Sequence, residues 1–94
     1  MAARAPEPAE IRVCEVMGVT VEVADSALND MEVVDLIDDI DEGKAQKFPK
    51  LLKRILGDGQ YRRVAEELSE GGRFTVERAG EFFTGFLEEF QAKN

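Results

Sequence analysis

The sequence contains no histidine and only one cysteine, Cys14, among its 94 residues. Without histidine, neither a Ser–His nor a Cys–His catalytic pair can form. A single cysteine excludes an intramolecular disulfide and fits a reducing cytoplasm, and we expect Cys14 to be a small apolar residue of a strand rather than a reactive thiol. No apolar run approaches the roughly 18 residues that a membrane span requires. Residues 1–10 lack the apolar stretch of a signal peptide, and we expect them to form a flexible tail.

Motifs for metal or phosphate chemistry are also lacking. Residues 35–42 are acidic enough to suggest a calcium loop, but the spacing fails. With Gly43 as the sixth loop position, the third falls on Ile40 and the twelfth on Pro49. The glycines at 57 and 59 lack the third glycine and the preceding strand of a phosphate-binding loop. We therefore predict that the protein is not an enzyme, needs no cofactor or metal, and works by binding other proteins.

The charge is strongly negative and unevenly distributed. The net charge of −8 comes from 20 acidic and 12 basic residues, and it disfavours nucleic acid as a partner. Residues 25–42 contain eight acids and no base, whereas residues 44–63 contain seven bases and a single acid, Asp58. Either the two segments pack together and neutralise each other, which we favour, or one of them docks a partner of opposite charge.

The pattern of apolar residues predicts a single small α+β domain over residues 11–94. Residues 11–24 alternate as a β-hairpin with its turn at Met17-Gly18, which would pair Val16 with Val19 and Cys14 with Val21. Amphipathic helices are predicted at about 30–42, 49–56, 60–69 and 76–91. Asn29 is the expected N-cap of the first helix, with Glu32 closing a capping box.

The last predicted helix has the widest apolar face of the four. Its phenylalanines at helical spacing are core candidates, yet together they exceed what a small core needs, so we predict that some bind a partner or a second copy. The candidate partner-binding residues are Phe82, Phe83, Phe86 and Phe90, with Phe48 and Tyr61 as secondary candidates.

Three segments together resemble a known family. They are the acidic helix with EVVDLI at 32–37 and DEG at 41–43, the LGDGQY corner at 56–61, and GGRFT at 71–75 leading into the last helix. In this order they resemble the tail assembly chaperones of long-tailed (siphovirus-type) phages and prophages. The similarity covers about residues 19–90.

The resemblance implies a function without catalytic residues. Such chaperones bind the tape-measure protein in the bacterial host cytoplasm, keep it soluble, help to recruit tail-tube subunits, and are absent from the mature virion. Many are also made in a longer, frameshifted form.

Other functions remain open at the level of sequence. An acidic antitoxin or inhibitor of a basic partner protein would use Asp35, Asp38, Asp39, Asp41 and Glu42. A structural head-tail or tail-tube component of a phage would occur in virions and form rings. A calcium or metal enzyme is the least favoured alternative.

Overall fold

The computed structural model of the chain describes residues 10–92. An antiparallel hairpin comes first, and three helices follow it. The elements are β1 (Ile11–Val16), β2 (Val19–Ala24), α1 (Met31–Asp41), α2 (Phe48–Glu67) and α3 (Val76–Ala92), with short 3-10 turns at Ala27–Asn29 and Ala45–Lys47. The predicted α+β class, a hairpin followed by amphipathic helices, is confirmed. The tail expected at residues 1–10 lies outside the described residues except for Glu10.

The hairpin has the register that the alternation predicted. Val16 pairs with Val19 and Cys14 with Val21, and the turn residues Met17 and Gly18 have φ of 53° and 81°. Two successive positive φ angles characterise the tight turn that matches the twist of a two-residue hairpin. One face of the hairpin is buried through Cys14, Val16, Val19, Val21 and Val23.

The outer edge of β2 is covered by polar side chains from α2. The Gln60 side chain accepts a hydrogen bond from the Glu22 N–H (2.8 Å) and donates one to the Glu22 carbonyl (2.8 Å). Arg63 donates to the carbonyl of Thr20. These bonds satisfy backbone groups that an edge strand otherwise exposes, and they hold the second half of α2 along the hairpin.

The start of α1 differs from the prediction by one residue. Asn29 ends the preceding 3-10 turn, where its N–H bonds to the carbonyl of Ser26 (2.9 Å). Asp30 is the N-cap instead, because its backbone is extended and its carboxylate accepts the Glu32 N–H at 3.0 Å. The capping box predicted from Asn29 and Glu32 was therefore wrong, since the turn places the cap one position later.

The two helices predicted at 49–56 and 60–69 are two halves of α2, which meet at a break. Gly57 has φ 82° and ψ 159° within an otherwise helical run. Residues other than glycine are strained in this region, so the corner predicted from the glycines is confirmed at Gly57. The interruption is narrower than expected, because the helix continues through Gly59.

We predict opposite effects of alanine at the two glycines of this corner. Gly57→Ala should lower the free energy of unfolding by about 1–3 kcal/mol, because alanine is strained at a positive φ. Gly59→Ala should raise it by roughly 0.5–1 kcal/mol, because an added Cβ meets no atom within 4 Å and alanine favours a helix. Urea unfolding of both variants checks this. Equal effects would contradict the assigned break.

Candidate protein-binding site

The four phenylalanines of the last helix lie in the core. Phe82, Phe83, Phe86 and Phe90 are each at most 8% exposed, on a helix that packs against β1. Three of the rings lie in a row, with Phe83 and Phe86 at 6.3 Å and Phe86 and Phe90 at 5.3 Å between centroids. The expectation that some of these four phenylalanines are exposed for a partner was therefore wrong for the folded chain. A partner could contact these side chains only if the domain opened, so we place the candidate site elsewhere.

The two secondary candidates, Phe48 and Tyr61, line a common apolar crevice. The crevice lies between the start of α2 and the start of α3, and its volume is 140 Å³. Both rings are half-buried. The other apolar side chains along its walls are Leu52, Phe74, Val76 and Ala79.

Aromatic contacts fix the walls of the crevice. The ring of Phe48 meets that of buried Phe83 edge to face at 6.4 Å, and Tyr61 meets Phe74 in the same way at 6.2 Å. Such pairs stabilise one relative orientation of the rings. Val76 is 57% exposed and stands at the mouth. The sequence prediction missed Phe74 and Val76 as parts of the site.

Polar contacts hold the start of α3 against the end of α2. Gly71 and Gly72 have positive φ, and Glu70 and Arg73 exchange backbone hydrogen bonds of 2.7 and 3.1 Å across them. Arg78 then donates to the carbonyl of Leu68 at 3.1 Å. The segment that carries Phe74 and Val76 is therefore fixed relative to α2, which makes the crevice a preformed feature.

Basic side chains lie beside the crevice. The Lys53 ammonium lies 5.4 Å from the centroid of the Tyr61 ring, within the range of a cation–π contact. Across the Tyr61–Phe74 pair lies a second, more polar depression of 470 Å³ whose lining includes Lys53, Arg62, Asp58 and Glu66. The charges that line this second depression balance, whereas the first half of α2, which borders the apolar crevice, carries bases and no acid.

The favoured mutual neutralisation of the acidic and basic segments holds only in part. Arg54 pairs with Asp30 at 2.7 Å and with Glu32 at 3.5 Å, and Lys44 pairs with Asp39 at 3.7 Å. Within residues 10–92, the remaining charges of these two segments that make no ion pair include the acids Asp35, Asp38, Asp41 and Glu42 on or next to α1, and the bases Lys47, Lys50 and Lys53. The surface therefore keeps an acidic strip on α1 and a basic strip on the first half of α2.

The described residues contain no group of three potential metal-ligating side chains, and none of their buried side-chain polar atoms is unsatisfied. No helix within residues 10–92 has both the length and the apolarity to cross a membrane.

Comparison of the chain with protein-family models, with curated proteins and with solved structures finds no match.

The Asp30–Arg54 pair should stabilise the fold in a pH-dependent way. The hydrogen bond from Arg54, followed by that from the Glu32 N–H, lowers the pKa of Asp30 below its ordinary value of 3.8. A lowered pKa adds stability above the ordinary value, and that stability is lost as pH falls through the lowered one. Asp30→Asn retains a capping oxygen but removes the charge, so its thermal midpoint should be lower than that of the unmodified chain at neutral pH.

This difference should shrink as the pH falls below 3.8, which thermal melts across the acidic range would show. Asp38→Asn is the matched control, because Asp38 lies on the same helix and makes no ion pair within the described residues. A difference for Asp30→Asn that is constant with pH would contradict the role of the ion pair.

Proposed function

We propose that this chain is a tail assembly chaperone of a long-tailed phage or prophage, which binds the tape-measure protein and keeps it soluble while the tail forms. The observation that carries the proposal is the preformed apolar crevice bordered by Phe48, Tyr61 and Val76, which the described chain leaves open. The resemblance of residues 19–90 to such chaperones supplies the identity of the client.

The crevice suits one side chain of a client helix. A cavity of about 150 Å³ with apolar walls is large enough for a benzene molecule, so the crevice of 140 Å³ accepts a single aliphatic side chain such as that of leucine or methionine. Insertion of such side chains is the usual way in which an amphipathic helix docks in a groove. A long apolar client would present many such side chains, and several copies of the chaperone would shield it.

In this proposal, the negative net charge of the chaperone keeps its complex with the client soluble. Binding through the crevice removes apolar surface of the client from water, while the net charge of −8 on each copy keeps the complex from aggregating. The proposed place of action is the bacterial host cytoplasm, with tail-tube subunits as later partners and no copy in the mature virion. No cofactor enters this mechanism.

Co-expression with the tape-measure protein encoded beside the gene tests the proposal. We expect the client to be soluble only with the chaperone and to co-purify with it in high salt, because apolar contacts do not weaken with ionic strength as ion pairs do. Val76→Glu should abolish co-purification, since it puts a charge at the crevice mouth. An acid in the first turn of α3 is compatible with folding.

Ile11→Glu is the matched control. Ile11 is 58% exposed, as Val76 is 57% exposed, but it lies on the outer face of the hairpin. It should leave the client soluble. If the client never co-purifies with the unmodified chain, or if both variants behave alike, the proposal fails.

The unpaired acids on and next to α1 favour one alternative function, an inhibitor or antitoxin that neutralises a basic protein. Asp35, Asp38, Asp41 and Glu42 would then form the contact. Such binding should weaken steeply as salt rises, and Asp35→Asn with Asp38→Asn should weaken it while Val76→Glu should not.

A further inference from the structure

The outer face of α1 exposes two apolar side chains among acids. Met31 is 75% exposed and Val34 is 44% exposed, and a spacing of three residues places them side by side on the helix. Asp35 and Asp38 follow on the same side at helical spacing. Buried Val33 and Leu36 hold the opposite side of α1 in the core, so this outer face is turned away from its own domain.

The crevice offers the complementary surface. Its walls are mostly apolar, the Lys53 ammonium lies 5.4 Å from the centroid of the Tyr61 ring, and Lys50 lies three residues before Lys53 on the same side of α2. Neither lysine makes an ion pair within the described residues, and residues 44–57 contain no acid. The crevice thus combines an apolar slot with positive charge, as the outer face of α1 combines apolar side chains with negative charge.

We propose that α1 of a second copy docks at the crevice. The unbranched side chain of Met31 enters the slot beside Phe48 and Tyr61, and Asp35 and Asp38 approach Lys50 and Lys53. Methionine adapts well to irregular apolar gaps, and the opposite charges orient the two copies.

The contact is head-to-tail. Each copy contributes a different surface, so a pair still has one free α1 face and one free crevice, and the assembly can grow into an open chain. An α1 helix and a client helix would be alternatives at the same crevice. The inference uses the site of the proposed function but does not depend on the client, and its test contains none.

Two complementary variants of the full chain distinguish this contact from any symmetric one. Val76→Glu blocks the crevice and keeps α1 intact, whereas Val34→Glu blocks the α1 face and keeps the crevice intact. Circular dichroism confirms folding first, and Met31→Glu replaces Val34→Glu if that variant unfolds. Sedimentation is then measured at protein concentrations up to about 1 mM, because an interface made by one helix face and one crevice is small and binds weakly.

The unmodified chain should associate with rising concentration, and each variant alone should associate at least about tenfold more weakly. A mixture of the two variants should form a dimer and stop there, because it contains one intact surface of each kind. Added salt should weaken this dimer. An unmodified chain that remains monomeric, or a mixture that associates no better than its components, would overturn the inference.

Discussion

The packing of α3 under the hairpin is the interaction on which the rest of the structure depends. A two-stranded hairpin is barely stable alone, and here its apolar face is buried, with β1 packed against α3. Gly85 permits the close approach, because a Cβ there would come within 2.9 Å of the Val16 side chain. Arg12 strengthens it by donating to the Phe90 carbonyl at 2.5 Å, stacking on the Phe90 ring and pairing with Asp25.

The four phenylalanines of α3 are buried in the core. The apolar surface that remains open to a partner therefore lies elsewhere on the domain. With α3 fixed at the hairpin, its first turn and the preceding Phe74 lie beside α2, where Phe48 and Tyr61 complete the crevice. The ion pairs of Arg54 fix α1 on the other side of α2. The acidic strip and the crevice are therefore separate surfaces of one domain, so the docking proposed at either surface leaves the core undisturbed.

Local patterns predicted the elements better than the site. The hairpin register and the corner at Gly57 both follow from neighbouring residues. Whether Phe86 is core or surface depends on distant elements, and periodicity alone could not decide it. The crevice joins residues from 45 to 79 in the sequence, and local patterns do not show which of them meet, so only Phe48 and Tyr61 were proposed in advance.

The most direct test of the central claim, that the crevice is the docking surface, is methyl NMR of the folded chain during titration with a fragment of the tape-measure protein. We expect the methyl resonances of Leu52, Val76 and Ala79 to shift together while those of Ile11 and Val13 stay unchanged. Shifts confined to the hairpin methyls, or to those of α1, would place the client on another surface and contradict the account.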